Sequence, residues 1–205
     1  MFIKRKNNTK ILFTLMLAAA AFFSQAIDIT ANLPARISDV KAGGQQIVLL
    51  GDELKVGQQA PDFRVVDNSF KPVRLSDFQG KTLMLSIVPS IDTGICSLQT
   101  KRFNEEVAKL PDSVQLLTIS TDLPFAQKRF CEQEQVNNMA VLSDAVWRDF
   151  GSNYGLLIKD MGLLTRAIII INQQGKVAYL QLVPELAQEP DYDAALQVLR
   201  QTIGS

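Results

Sequence analysis

The sequence predicts an α/β domain, because apolar runs of strand length alternate with segments of helical spacing. Two long apolar runs, 82–88 and 113–120, are typical of buried interior strands, and a helical segment follows each of them. The last two runs, 166–172 and 176–183, flank Gln173-Gln174-Gly175, which indicates a hairpin. This order of elements specifies an α/β domain.

Shorter elements complete the pattern. Apolar runs bounded by turn residues predict three further strands, at 46–50, 64–66 and 140–142. A hairpin-like connection at 67–69 and a short turn at 75–80 precede the strand at 82–88. Helical spacing predicts one helix that ends near residue 107 and three more at 124–134, 146–154 and 192–203. Residues 27–45 show no core pattern, so we predict a leader segment there and one domain over 46–205.

The first 26 residues have the composition of a signal peptide. Four basic residues between Lys4 and Lys10 precede an apolar run from Ile11 to Phe23, and Ser24-Gln25-Ala26 offers small residues at a cleavage site. A spanning helix needs about 20 residues, so this run is too short for one. We therefore predict cleavage after Ala26, a periplasmic or secreted protein and no membrane attachment; an uncleaved anchor is the alternative.

Charge and composition exclude several classes of function. Removal of residues 1–26 takes away four basic and no acidic side chains and leaves a net charge of −4. Such a mildly acidic domain does not favour nucleic acid as a partner. Histidine is absent from the sequence, which excludes histidine general bases and removes the commonest zinc ligand. Any reaction must use cysteine, carboxylate, hydroxyl, lysine or arginine groups.

Cys96 and Cys131 are the two cysteines of the chain and lie 35 residues apart. This spacing excludes a Cys-x-x-Cys motif, whereas export would permit a structural disulfide between them. Pro89 ends the strand at 82–88 and helical spacing resumes soon after, which places Cys96 in the first turn of a helix. Unpaired backbone N–H groups and the positive end of the helix dipole favour a thiolate there. The position of Cys96 therefore predicts a nucleophile.

Two further side chains could assist this cysteine. Thr93 precedes Cys96 by three positions and fits the N-cap of its helix, with the hydroxyl near the sulfur. Arg166 opens the apolar run 167–171, where a charged group needs a partner. A surface charge at a strand end is the alternative interpretation of Arg166. Because an adjacent cation stabilises a thiolate, Arg166 is the candidate cation for Cys96.

Several motifs carry a resemblance to a known family. Pro89-x-x-x-Thr93-x-x-Cys96 matches the active-site pattern of peroxiredoxins, and Gly57-x-x-Ala60-Pro61-Asp62-Phe63 matches their entry segment. The signatures of the bacterial thiol peroxidases, a group of atypical two-cysteine peroxiredoxins, resemble three segments in order and spacing: 89–93, 122–131 and 163–167. The resemblance covers about residues 45–204.

The resemblance implies a thioredoxin-like fold, with a central mixed sheet flanked by helices and an N-terminal hairpin extension. It implies that hydrogen peroxide or an organic hydroperoxide oxidises Cys96, the peroxidatic cysteine, and that Cys131 resolves the sulfenic acid as an intramolecular disulfide. Thr93 would hydrogen-bond the peroxide, Pro89 would shield the thiolate from water and Arg166 would stabilise it. A thioredoxin-like reductant, a homodimer and the absence of a metal or organic cofactor are also implied.

Three details refine these expectations. Gly94-Ile95 stand where the group more often has Pro-Val, and glycine loosens the turn before the nucleophile. Four apolar residues near the presumed pocket favour organic hydroperoxides: Ile91, Ile95, Leu163 and Leu164. A disulfide needs Cα atoms about 4.4–6.8 Å apart, so we expect local unwinding around one or both cysteines in each cycle.

Two other functions are left open by the residues. A secreted binding domain on a thioredoxin-like scaffold would use Cys96 and Cys131 as a permanent disulfide. A protein thiol–disulfide exchanger would act on client proteins, although the lack of a Cys-x-x-Cys motif counts against it.

Overall fold

The computed structural model describes Thr30 and residues 32–203. The predicted signal peptide, residues 1–26, lies outside the described residues. The chain divides into two units, and the second, which begins at Leu33, contains all the elements below. No helix in the described part of the chain is both long and apolar enough to span a membrane.

Ten strands are present in the described part of the chain. They are β1 (Ala35–Ala42), β2 (Gln45–Leu50), β3 (Arg64–Val66), β4 (Pro72–Arg74), β5 (Thr82–Ile87), β6 (Val114–Ser120), β7 (Ala140–Ser143), β8 (Leu157–Ile158), β9 (Ala167–Ile171) and β10 (Val177–Leu182). Seven of them form the central sheet, in the order β10-β9-β5-β6-β7-β3-β4. β5, β6 and β7 are parallel and the other pairs are antiparallel, which confirms the mixed sheet.

Helices cover both faces of this sheet. They are α1 (Gly94–Val107), α2 (Pro124–Glu134), α3 (Asp149–Asn153) and α4 (Tyr192–Ile203), and a 3-10 helix spans Leu75–Phe78. The bounds of α2 and α4 agree with those predicted from the sequence, and α3 is shorter than predicted. Each βα unit therefore follows the predicted order.

The core has two layers, divided by the central sheet. On β5, Leu83 and Leu85 face the larger layer, whereas Met84 faces Phe103 of α1 and Leu196 of α4. All five side chains are buried. Burial of each side chain of this size contributes about 1.5–3 kcal/mol relative to exposure, so the alternation along β5 fixes which helices lie on which face.

The predicted leader is wrong for residues 35–44, because they form β1 and its turn, whereas the N-terminal hairpin that the family resemblance implies is present. β1 pairs antiparallel with β2, and Val40 is buried in a small cluster with residues of β2 and β8. The Ser38 hydroxyl donates to the Ile47 carbonyl at 3.0 Å. Much of β1 is exposed, and charged residues alternate with its buried ones, so its sequence carries little apolar signal.

The turn of this hairpin is attached to the loop that follows β10. The backbone N–H groups of Gly43 and Gly44 donate to the Glu185 carboxylate at 3.0 and 3.1 Å, and both glycines have positive φ. Lys41 exchanges two backbone hydrogen bonds with this loop, the second from the Leu186 N–H. The N–H group of Gly44 contributes most to holding the pKa of Glu185 below its ordinary value. The N-terminal hairpin thereby fixes the position of Leu186.

Asp144, directly after β7, is a fully buried carboxylate. Its two oxygens accept the N–H groups of Phe150 and Gly151 at 3.0 and 2.9 Å, at the start of α3. Burial nevertheless raises its pKa from 3.8 to about 7, because desolvation outweighs the two hydrogen bonds.

We predict that Asp144 makes the protein less stable as pH rises from about 4 to about 7. In this window the folded protein retains a proton that the unfolded chain releases, so the free energy of unfolding falls with pH. The slope is at most about 1.4 kcal/mol for each pH unit. Guanidinium unfolding of the wild type and Asp144→Asn between pH 4.5 and 8 should give a difference that changes over this window. A difference that is constant with pH would contradict the prediction.

Candidate active site

Cys96 lies in the first turn of α1, beyond the carboxyl end of β5. α1 begins at Gly94, and Thr93 is its N-cap in an extended conformation, which confirms the predicted cap. The Thr93 hydroxyl accepts the N–H of Cys96 at 3.4 Å and donates to the Ser90 carbonyl, also at 3.4 Å. Both bonds are long, so the hydroxyl is held loosely. Thr93 is exposed, whereas Cys96 is fully buried.

Arg166, directly before β9, contacts the cysteine. Its Nη2 donates to Cys96 Sγ at 3.2 Å, and its Nη1 donates to Gln99 Oε1 at 2.8 Å. Nε and Nη2 donate to the Leu186 carbonyl at 3.1 and 2.8 Å. The side chain is 2% exposed, so the alternative of a surface charge does not hold.

The charge of Arg166 has no carboxylate partner within the part of the chain that the structure describes. None of the ion pairs among the described residues includes it. Its acceptors are the neutral Gln99 amide, the Leu186 carbonyl and the Cys96 sulfur. A buried cation without a counterion costs several kcal/mol. The Cys96 sulfur is the acceptor within hydrogen-bond distance that could balance this charge as a thiolate.

Gln99 was missed by the sequence interpretation. Its amide is fully buried one turn after Cys96, and Nε2 donates to the Ser86 hydroxyl at 2.8 Å. Ser86 lies among apolar residues of β5, and it faces α1 through this bond. A buried polar group requires such a partner. The Ser86–Gln99 pair therefore orients Arg166. Ser86 carried a signal, as a polar residue within the apolar run 82–88, whereas Gln99 carried none.

Apolar side chains surround the sulfur. Cys96 packs in one cluster with Val88, Ile91 and Phe130, and Pro89 is buried two residues beyond β5. Among the residues expected near the pocket, Ile91 belongs to this cluster. Leu164 belongs to the larger core layer instead, and Leu163 packs against the N-terminal hairpin. The enclosure limits the access of water to the sulfur, which strengthens the interaction with Arg166.

Cys131 lies in the last turn of α2 and packs against the cluster that contains Cys96. Both cysteines are free thiols. Cys131 is half-buried and lines a cavity of about 240 Å³ with Asn68 and Met139. Burial raises the pKa of the Cys131 thiol, and a hydrogen bond from the Asn68 side chain opposes this effect. Asn68 was interpreted from sequence only as a turn residue.

Helix α2 ends one turn after Cys131, with Gln135 as its C-cap. The Cys131 carbonyl accepts the N–H groups of Gln135 and Val136, and Gln135 is left-handed at φ 56°. Terminal turns open at a lower free-energy cost than helix interiors. The structure thus places each cysteine in a terminal turn, one at the start of α1 and the other at the end of α2.

Comparison with known proteins identifies the family. The sequence profile described as Redoxin matches residues 55–196. A thiol peroxidase of Oceanobacillus iheyensis is 45% identical over 163 residues, which cover 80% of this chain and 99% of that protein. This chain belongs to the thiol peroxidases of the redoxin family. The thiol peroxidase of Bacillus subtilis is 42% identical over 164 residues, 80% of this chain and 98% of that protein.

A solved structure agrees with this family assignment. The peroxiredoxin-like protein from Aquifex aeolicus is 40% identical, with a TM-score of 0.74 over 80% of this chain and 98% of that chain. The predicted thioredoxin-like α/β fold of a thiol peroxidase is thereby confirmed.

We predict that Gly94→Pro stabilises the reduced thiol peroxidase and slows disulfide formation. A Cβ at this position meets no atom within 4 Å, and the extended Thr93 is compatible with a following proline. Proline suits the first helical position, and the gain in unfolding free energy should be about 0.4–1 kcal/mol. Denaturant unfolding of the reduced protein and the rate of disulfide formation after one equivalent of peroxide measure the two effects.

Gly94→Ala is the matched control for Gly94→Pro, because it adds a Cβ without fixing φ. It should change both quantities in the same direction by a smaller amount. Disulfide formation at the wild-type rate in a stabilised Gly94→Pro would contradict the expected unwinding of the first turn.

Proposed function

We propose that this thiol-dependent peroxidase reduces hydroperoxides through the Cys96 thiolate. The observation that carries the proposal is the 3.2 Å contact between Arg166 Nη2 and Cys96 Sγ in a buried site where Arg166 has no carboxylate partner among the described residues. A stabilised thiolate is the nucleophilic form of cysteine. Hydrogen peroxide and organic hydroperoxides are the proposed substrates.

The first step transfers one oxygen atom to sulfur. The Cys96 thiolate attacks the terminal peroxide oxygen, the O–O bond breaks, and an alcohol or water leaves after taking up a proton. Cys96 is thereby oxidised to a sulfenic acid. Arg166 would stabilise the charge that develops on the oxygen atoms, and the loosely held Thr93 hydroxyl would bind the peroxide. The buried Pro89 would exclude water from the sulfur.

The second step forms the disulfide. The Cys131 sulfur attacks the sulfur of the Cys96 sulfenic acid, the S–O bond breaks and water is released. Because burial raises the pKa of Cys131, this cysteine remains protonated at neutral pH and does not compete for peroxide. The first turn of α1 and the last turn of α2 would open for the two sulfurs to meet.

A thioredoxin-like dithiol would complete the cycle by reducing this disulfide. We propose that it attacks the Cys131 sulfur, because Cys131 is half-buried and Cys96 is fully buried. Attack there releases Cys96 as the leaving group, and Arg166 stabilises the departing thiolate. The homodimer that the family resemblance implies stays a prediction, which sedimentation of the purified protein would measure.

The structural-disulfide and exchanger alternatives are not favoured. A permanent disulfide needs no buried cation beside Cys96, and a thiol–disulfide exchanger typically carries a Cys-x-x-Cys motif, which this sequence lacks. The family assignment also supports the peroxidase.

We predict distinct kinetic roles for the two cysteines. Stopped-flow Trp147 fluorescence should follow the reaction of the reduced protein with hydrogen peroxide and with cumene hydroperoxide. Cys96→Ser should not react, because the nucleophile is lost. Cys131→Ser should consume one equivalent and stop at the sulfenic acid, which a dimedone adduct detects by mass. A wild-type rate no higher than that of free cysteine would contradict the proposal.

We also propose export with removal of residues 1–26, as their composition indicates. The full chain expressed in a Gram-negative host should yield a periplasmic protein whose intact mass corresponds to a start at residue 27. A full-length mass in the membrane fraction would indicate an uncleaved anchor instead.

A further inference from the structure

Asp122 connects the two segments that carry the cysteines. It lies two residues beyond β6, and its carboxylate is directed at the loop between β5 and α1. Oδ1 accepts the Ser90 hydroxyl at 2.7 Å, and Oδ2 accepts the Ile91 N–H at 2.8 Å. These short bonds to a carboxylate are of the charge-assisted kind, which is stronger than a neutral bond.

The backbone of Asp122 is fixed as well. Its carbonyl accepts the Ser143 hydroxyl at 2.6 Å, at the end of β7. Its N–H donates to the Ser120 hydroxyl at 3.3 Å. Leu123 is then the N-cap of α2, and Pro124 is its first residue. Asp122 therefore sets where α2 begins, and Cys131 lies two turns further along that helix.

A chain of hydrogen bonds leads from Asp122 to Cys96. The Ser90 carbonyl accepts both the N–H and the hydroxyl of Thr93, at 3.3 and 3.4 Å. The Thr93 hydroxyl accepts the Cys96 N–H at 3.4 Å. The two bonds of the Asp122 carboxylate are 0.5 Å or more shorter than these, so the chain of hydrogen bonds is tight at Asp122 and looser at Thr93.

We propose that Asp122 is a positioning residue of the peroxidase, a role that rests on the proposed function above. Through Ser90 it orients the Thr93 hydroxyl for the peroxide, and through its backbone it holds the Cys131 helix in register with the Cys96 loop. When the first turn of α1 opens, the Asp122 bonds to Ser90 and Ile91 lie upstream of the opening. Asp122 therefore keeps its bonds to the loop while that turn opens.

The test measures peroxide reactivity separately from thiol reactivity. Both Asp122 substitutions are made in Cys131→Ser, which stops at the sulfenic acid. Asp122→Asn and Asp122→Ala should each lower the second-order rate constant for the reaction of Cys96 with hydrogen peroxide. The decrease should be about 10- to 100-fold for Asp122→Ala. Alkylation of Cys96 by iodoacetamide should stay within about twofold, because the contacts of Arg166 are retained. Asp112→Asn, an exposed carboxylate before the other end of β6, is the matched control and should change neither rate.

A double-variant comparison tests the route through Ser90. Asp122→Ala combined with Ser90→Ala should be no slower with peroxide than Asp122→Ala alone, because both changes break the same chain. In the protein that retains Cys131, Asp122→Ala should also slow disulfide formation, and the Ile91 amide should exchange faster with deuterium.

Three results would overturn the role. One is a wild-type peroxide rate in both Asp122 variants, and another is an equal fall in peroxide reactivity and alkylation, which indicates a merely structural residue. The role would also be overturned if the fold-decreases in peroxide rate of Asp122→Ala and Ser90→Ala multiplied in the double variant. If Cys131→Ser itself reacts no faster than free cysteine, the proposed function fails, and this proposal fails with it.

Discussion

The buried guanidinium of Arg166 is the constraint on which the rest of the site depends. It donates to an amide, a carbonyl and a sulfur, but to no carboxylate among the described residues. A carboxylate in place of Gln99 would neutralise the cation and weaken its hold on a thiolate. The neutral partner therefore satisfies hydrogen bonding and leaves the positive charge for the sulfur. The remaining features of the fold hold this arrangement in place.

The two cysteines differ because their surroundings differ. Cys96 is enclosed, contacts a cation and begins a helix, whereas Cys131 is half-buried, ends a helix and contacts the Asn68 amide. The Arg166 cation can stabilise a negative charge on the Cys96 sulfur, whereas burial raises the pKa of Cys131. Two residues of one chemical type thus lie in different electrostatic surroundings, which are set by their positions in helices and by one arginine.

Local patterns in the sequence were sufficient to predict most of the helices and strands that hold the site. Helical spacing and Pro124 predicted the bounds of α2, and the Thr93 cap predicted the start of α1. The family resemblance implied an N-terminal hairpin, but the local pattern missed β1, because its buried residues alternate with charged ones as in a polar segment. β8 was missed because a strand of two residues carries no period.

Contacts between distant residues could not be predicted from the sequence in the same way. Arg166 meets Cys96 across 70 positions and Gln99 across 67. Neither spacing has a periodic signature, and the burial of Arg166 depends on a loop that follows β10. Family motifs indicated Arg166, but no local pattern indicated Gln99 as its partner, because a lone glutamine on a helix is most often exposed.

The attachment of the N-terminal hairpin to the loop after β10 has a consequence for the newly made chain. Leu186 supplies a carbonyl acceptor to Arg166, and its own N–H is held by Lys41. The arginine site is therefore closed by residues from both ends of the domain. A chain that stops before residue 186 has Cys96 and Arg166 but lacks the acceptor that orients them. The full set of hydrogen bonds that orients the Arg166 guanidinium is thus available only after residue 186 has been added.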